Sequence, residues 1–313
     1  MPAVDLDVGR HIRAVHRFAT VAMDTWVNVQ LLSDHPREQA EASAEHALNW
    51  FASVEHVCSR FEPSSEVMRL AHQPERSVPV STLLREAIAF ALGLAQLTDG
   101  AFDPTIGAVL EERGFNRNYR TGAEVRSGLS GSPATFRDVR VDRRASRITL
   151  RRPLVLDLGA VAKGLAIDLA ARELGRFSDF CIEAGGDLYA RGHNAVGAPW
   201  QIGIQHPRSN GLLARTLAVT DAAVCTSGDY ERPAPEGVGG HHVLDARKGH
   251  SPDEVASVTV VAPTAMMADG LSTAAMILGR ERGLRLLEQE GVAGLLLSSD
   301  GTAHTTNGFG AFG

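Results

Sequence analysis

Cysteine is scarce in this chain. Cys58, Cys181 and Cys225 are the only three among 313 residues, and no two form a CxxC pair. An odd, dispersed set supports neither a disulfide framework nor a structural zinc knuckle. No run of 18 apolar residues occurs, so no helical membrane span is expected. The N-terminal stretch MPAVDLDVGRHIRAVHRF mixes acids and bases and has no apolar core. It reads as neither a signal peptide nor a lipoprotein anchor. Net charge is −6 with no long Lys/Arg block, which argues against bulk binding of nucleic acid or anionic membrane. A reduced cytoplasmic location is the default expectation. The Walker A pattern GxxxxGK[ST] is absent as well.

What remains is ordinary for a soluble enzyme, 44% hydrophobic and 22% charged. The length allows one large domain or two small ones. We expect a lead-in over 1–20, a single domain over 21–307 and a flexible Gly-rich tail over 308–313. The lead-in has helical character in places. Strands are expected at 26–32, 139–141, 146–150, 180–184, 188–191, 200–204, 214–219, 223–225, 255–262 and 294–298 from their alternation or β-branched content. Helices are expected at 37–57, at 81–97 behind a Ser81 cap, from Thr264 to Leu278, and at 281–290. Residues 115–137 read as an exposed excursion. Strands fall in hairpin-like pairs and helices in separate blocks, which favours α+β over alternating α/β.

The organising stretch is LVLDLGAVAKGLAIDLAAREL, 154–174. Its apolar run ends in Asp157, a Gly159-Ala160 turn follows, and Lys163 stands in the first turn of a helix. Helix N-termini carry partial positive charge and spare N–H groups, so this corner can hold a phosphate. The alternative is a plain strand–helix turn in which Asp157 pairs with Lys163.

Four other places carry chemistry. Asp269 and Thr273 are four apart on one helix face, an acid and a hydroxyl suited to a hard divalent cation completed by backbone carbonyls. The alternative is a solvated Asp and a Thr bonded to its own helix. HHVLDARKG, 241–249, reads as a strand and turn, with His242 and Leu244 on one face and His241, Val243 and Asp245 on the other. His242 could act as a base near neutral pH, although a His pair is more often structural. Glu183-Ala-Gly-Gly-Asp187 is a glycine turn that lets backbone approach a ligand, or only a hairpin turn. Residues 225–232, CTSGDYER, offer hydroxyls and an arginine that could bind a nucleotide base or ribose, although any polar loop looks like this.

Taken in order, AMDT (22–25), SRFEPSSE (59–66), TDGAFDPTIG (98–107), DLGAVAKGLAID (157–168), EAGGDL (183–188), TSGDYER (226–232), HHVLDARKG (241–249) and VTVVAPTAMMADGLSTA (258–274) resemble the ApbE-type FAD:protein FMN transferases. The likeness spans about residues 20–300. It implies an α+β fold with a tunnelling-fold-type core, mostly antiparallel sheets flanked by helices, and an FAD cleft between two lobes. It implies a Mg²⁺-dependent enzyme that moves FMN from FAD to a Thr or Ser hydroxyl of an acceptor protein and releases AMP. Such acceptors carry a motif like Asp-x-x-Ser/Thr-Gly-Ala-Thr. Water as acceptor would make the chain an FAD pyrophosphatase, and loss of chemistry would leave a flavin-binding protein.

By position, the resemblance gives Asp269, Thr273 and the Ala160 carbonyl as metal ligands, with Ser272 where some relatives place a second acid. It gives Met23, Phe61, Ala101, Phe102, Asp103, Asp157, Lys163 and Val243 as flavin contacts, and His242, Asp269 and Lys163 as catalytic. Asp24 stands in place of a usual Gly, Phe61 of a Tyr, Ala246 of a Pro and Lys248 of a Thr. The nearest acceptor-like segment in the chain itself, Ser130-Gly-Ser-Pro-Ala-Thr135, lacks the leading Asp.

Overall fold

The computed structural model describes residues 14–129, 133–209 and 211–312. Most of the expected lead-in (1–13), the first three residues of the acceptor-like segment (130–132) and the last tail residue lie outside these. In chain order the elements are β1 (Ala14–Ala22), β2 (Thr25–Ser33), α1 (Arg37–Cys58), α2 (Glu66–Ala71), β3 (Ser77–Pro79), α3 (Thr82–Leu97), α4 (Gly107–Glu112), β4 (Val139–Asp142), β5 (Arg147–Leu150), α5 (Gly159–Glu173), β6 (Asp179–Ala184) and β7 (Asp187–Arg191). There follow β8 (Trp200–Gln205), β9 (Leu213–Val219), β10 (Ala222–Gly228), β11 (Val255–Ala262), α6 (Ala265–Leu278), α7 (Arg280–Gln289), β12 (Ala293–Ser298) and β13 (Ala303–Thr305).

Eight strands form one open sheet in the order β1-β2-β6-β7-β10-β11-β12-β13, antiparallel throughout. Two smaller sheets, β3-β5-β4 and β8-β9, flank it. The α+β expectation therefore holds: antiparallel sheets flanked by helices, with no closed barrel among the described residues. Every residue of β11 is buried, because both faces of the sheet are covered at its centre. On one face α1, α3, α5, α6 and α7 pack with Phe51, Leu84, Ile88, Ile167 and Met276 almost fully buried. On the other, the β8–β9 hairpin lays Trp200, Ile204, Leu217 and Val219 over Leu188, Val224 and Leu295. Each large apolar side chain so covered contributes about 1.5–3 kcal/mol.

Local chemistry explains the helix starts. Ser65, Ser81 and Thr264 each accept an N–H three residues on, satisfying a donor the helix leaves spare. Helices α5 and α6 touch at Gly164, where a Cβ would stand 2.5 Å from the Ala265 carbonyl oxygen. Only glycine permits that approach, and it brings the start of α5 alongside Asp269.

Several expectations change. Residues 14–20 are strand rather than helical lead-in, paired along the whole of β2. Their apolar–polar alternation is weak, so period two does not show. Residues 154–156 make only a single parallel bridge, Val155 to Ile106. The expected strand at 241–245 is absent: His241 and Asp245 make isolated bridges to Pro233 and His250. Asp245 instead closes a turn, accepting the Arg247 N–H. The tail ends in a short 3-10 turn, Phe309–Ala311, with Phe309 buried in the second core.

Candidate active site

Two clusters of polar side chains meet at the N-terminus of α5. The inner one rests on the sheet. Lys163, one of two lysines in the chain, reaches Asp187 at the head of β7 with Nζ 2.7 Å from Oδ2. Asp187 is 2% exposed, and its other oxygen accepts the Thr226 N–H at 2.9 Å. Gly185 and Gly186, both at positive φ, turn β6 into β7 and so deliver Asp187 to this spot. Asp269, buried on α6, accepts the Gly164 N–H at 3.1 Å. Burial first, and repulsion from Asp187 second, push the Asp269 carboxyl above its usual range. Burial opposes the charge on Lys163, but Asp187 and Asp269 outweigh it and hold the ammonium above its ordinary pKa.

Three hydroxyls cluster one turn further along α6. Ser227 Oγ is 2.8 Å from Ser272 Oγ and 2.9 Å from Thr273 Oγ1, and Ser272 donates to the Asp269 carbonyl at 2.9 Å. Asp168 locks α5 to the head of α6 by accepting the Ala265 and Met266 N–H groups at 2.7 and 3.0 Å. Cys225 lies against the same helix start, its thiol pushed far up by burial and the neighbouring acids, and so neutral. Among the described residues no three His, Cys, Asp or Glu side chains converge as a metal set. A cation here would draw on one carboxylate, hydroxyls and backbone carbonyls, oxygen donors that suit a hard ion.

The outer cluster is made of loops. Asp157 is not paired with Lys163. Its Oδ2 takes Arg60 Nε at 2.5 Å and its Oδ1 the Gly159 N–H at 2.8 Å. Burial opposes ionisation, but the Arg60 charge and these hydrogen bonds keep the carboxyl below its usual range. Arg60 is 5% exposed, lies 4.1 Å from the Phe61 ring centroid, and donates to the Phe115 carbonyl at 2.6 Å. His242 stacks edge-on to Phe115 at 6.5 Å. Its pKa is pulled down to about 4, by burial first and then by Arg232 and His241, and its Nδ1 is buried without a partner among the described residues. Arg232 pairs with Asp24 at 3.2 Å. Glu55 ties the rim together, accepting the Met23 N–H at 3.3 Å and Arg120 Nη2 at 2.5 Å, while Asn118 donates to the Phe61 carbonyl.

The structure thus gathers Ala160, Lys163, Asp269, Ser272 and Thr273 on one side of the α5 terminus and Asp157, Phe61, Met23 and His242 on the other. Ala101, Phe102 and Val243 are buried. Asp103 has no free oxygen: Thr105 occupies Oδ1 and the Phe136 N–H occupies Oδ2. A cavity of about 320 Å³ runs past Asp103, Phe136, Arg137, Ala246 and Arg247. The larger one, about 780 Å³, lies at the far end of α5 by Trp50, Asp168, Arg172 and Tyr189, and holds none of the expected residues. The sequence reading points to the segments that hold Asp187, Ser227 and Arg232 without giving these side chains a role, and it does not single out Arg60. All four sit inside the recognised motifs, which was the available signal.

Buried carboxylates, an ammonium and hydroxyls thus meet near the N-terminus of α5 on an antiparallel α+β scaffold. The family model for the ApbE family matches residues 23–296, and the chain belongs to that family. It is 29% identical over 308 residues to the FAD:protein FMN transferase of Haemophilus influenzae, covering 92% of this chain and 86% of that one. The Salmonella typhimurium FAD:protein FMN transferase is 28% identical over 320 residues, covering 97% and 87%. The ApbE protein of Thermotoga maritima superposes with a TM-score of 0.85 at 29% identity, over 96% of this chain and 99% of that one. The flavin transferase ApbE from Vibrio cholerae does so with 0.82 at 25% identity, over 96% and 100%. No helix among the described residues is long and apolar enough to cross a membrane.

Proposed function

We propose that this chain is an FAD:protein FMN transferase that depends on Mg²⁺, joins FMN to a Thr or Ser hydroxyl of an acceptor protein, and releases AMP. The observation that carries it is the inner cluster: a buried, mutually repelling Asp269 and Asp187 that share, among the described residues, the one Lys163 ammonium, with three linked hydroxyls on and against the same helix. Two acids against one ammonium leave room for a further cation. Asp269, Thr273, Ser272 and the Ala160 carbonyl would hold it. The Gly164 N–H donates to Asp269 and so holds that carboxylate against the first turn of α5, which carries the Ala160 carbonyl. When bound, magnesium supplies charge neutralisation and polarisation at the pyrophosphate oxygens.

The chain's own residues account for the rest. The acceptor oxygen bonds to the FMN phosphorus while the pyrophosphate P–O bond breaks and AMP leaves with the bridging oxygen. Lys163 offsets negative charge on the parting phosphates. Met23, Phe61 and the Arg60-anchored Asp157 line the flavin side. His242, neutral and with a free Nδ1, takes the hydroxyl proton. A pKa near 4 makes a weak base alone, and a pyrophosphate alongside raises it. The free cysteines support the cytoplasmic reading.

The test incubates the protein with FAD, Mg²⁺ and a synthetic Asp-x-x-Ser-Gly-Ala-Thr peptide. One FMN added to the peptide per AMP released is expected. AMP without peptide labelling would make the chain a hydrolase, and flavin binding without AMP would end the enzymatic reading.

A further inference from the structure

The chain is acidic overall, yet residues 137–152 carry seven arginines and two aspartates, a local +5 in a chain of net −6 that leaves −11 on the remainder. In sequence the arginines are interrupted by apolar residues, and the fold sorts them. Val139, Ile148 and Leu150 face the core, while Arg140 and Arg147 share the outer face of the β4–β5 hairpin with Asp142 and Thr149. Arg143 and Arg144 form its turn, and Arg137, Arg151 and Arg152 its opposite end. With four residues per strand, the whole set sits on a hairpin about 13 Å long. Arg152 is engaged by Asp138 and Arg147 by Ser77, and Arg137 contacts Asp99 at 3.5 Å. Arg140, Arg143, Arg144 and Arg151 are exposed and make no ion pair or side-chain hydrogen bond among the described residues.

Position adds a second observation. The Arg137 end borders the cavity that runs past Asp103, an expected flavin contact, to Ala246 and Arg247, so the basic face continues into that cavity. From this continuity and charge we propose that the β4–β5 hairpin is the docking surface for an acidic segment of the acceptor protein. This rests on the transferase reading above. The −11 on the rest of the chain repels an extended polyanion such as a membrane plane or a nucleic acid, and permits a compact acidic patch. Unpaired arginines have no intramolecular bond to lose, and they offer bidentate donors to carboxylates. Attraction of this kind raises the encounter rate and fades as salt shortens its range to about 10 Å at 0.1 M.

The experiment compares two labelled peptides with the same Asp-x-x-Ser-Gly-Ala-Thr core and a flexible Gly-Ser linker, one ending in four glutamates and one in four glycines. Binding is read by fluorescence anisotropy, FMN transfer and AMP release by mass spectrometry. At low salt the acid-tailed peptide should bind about tenfold tighter to the wild-type protein. The gap should close at high salt and in the triple variant R140E/R143E/R144E, whose thermal unfolding and KM for FAD stay as in the wild type. Equal binding of the two peptides, or a preference that survives in the variant, overturns the docking surface even if FMN transfer is normal. Tighter binding to vesicles rich in phosphatidylglycerol than to the acid-tailed peptide overturns it in favour of a membrane. Absence of AMP and labelled product with the binding preference intact refutes the transferase reading and leaves an acid-binding face.

Discussion

The inner and outer clusters share one helix terminus but differ in kind. The inner acids are held by a sheet and two helices, and they repel each other across a single ammonium. The outer acid is held by loops and is fully matched: Asp157 has Arg60 on one oxygen and a backbone N–H on the other. One region carries unmet charge on a rigid frame, and the other carries satisfied charge on a pliable one. Unmet charge on regular structure marks the candidate cation site, and the loops, held by satisfied charge, present the proposed flavin contacts and His242.

The largest effect should therefore come from the inner cluster. Asp269→Ala should lower AMP release from FAD by about 1,000-fold or more, while thermal stability holds or rises because a repelled buried carboxyl is gone. Arg232→Ala, at the half-exposed rim, should cost less than tenfold. Comparable losses in the two variants, in a steady-state AMP assay, would erase the distinction.

Stability should rank the charge pairs next. Arg60→Met strands Asp157 among buried groups and removes the Phe115 contact, and should cost about 3–5 kcal/mol in urea unfolding. Lys163→Met leaves Asp187 and Asp269 facing each other and should cost about 3 kcal/mol. A loss below about 1 kcal/mol for Arg60→Met would show that the loop pair is not the anchor.

Acid should then separate the clusters by sign. His242 has a folded pKa of about 4 against 6.5 for the free side chain. The unfolded chain takes up its proton first, so the stability held above pH 6.5 is lost as pH falls toward 4, up to about 3 kcal/mol. Asp157, depressed by Arg60, adds to that loss at lower pH. Asp269 runs the other way: its carboxyl is raised in the fold, so acidification protonates the native state first and stabilises it. Between pH 7 and 4.5 the His242 and Asp269 effects oppose each other in the wild type, so its urea midpoint should move little, while that of His242→Gln should rise. Asp269→Asn should gain at pH 7 and show a steeper loss toward pH 4.5 than the wild type. The same slope in all three proteins would refute these assignments.

The difference also governs what the sequence reveals. Helices α1, α3 and α6 and the central strands were legible because apolar periodicity and Ser or Thr caps are local signals. Asp269 and Thr273 were legible because both lie on one helix face. Their partners were not: Asp187 reaches Lys163 only after a glycine hairpin, and Ser227 arrives from a strand 45 residues before Ser272. At the rim even the pairing went astray. Asp157 and Lys163 are close in sequence, yet the helix carries Lys163 toward the sheet while Arg60, 97 residues earlier, fills the place beside Asp157. The 241–245 stretch has strand-like letters, but no neighbouring strand offers it a ladder.

The smallest effect sits where the rim meets the β1–β2 hairpin. Met23 and Asp24 form a two-residue turn with φ of 53° and 64°, the left-handed pair that such hairpins need. The resemblance implies a Gly at the second position, and the left-handed φ there is one that glycine adopts freely. A non-glycine residue there costs about 1–2 kcal/mol, less for Asp, whose side chain tolerates the region. Asp24 recovers part of that through its pair with Arg232, but both side chains are about half exposed and such a pair contributes at most about 1 kcal/mol. Asp24→Gly should thus change stability by less than about 0.5 kcal/mol. Asp24→Ala keeps the strain and loses the pair, and should cost about 1 kcal/mol. If thermal melts place the Ala and Gly variants together, the turn is not what selects glycine there, and the Arg232 pair is what Asp24 supplies.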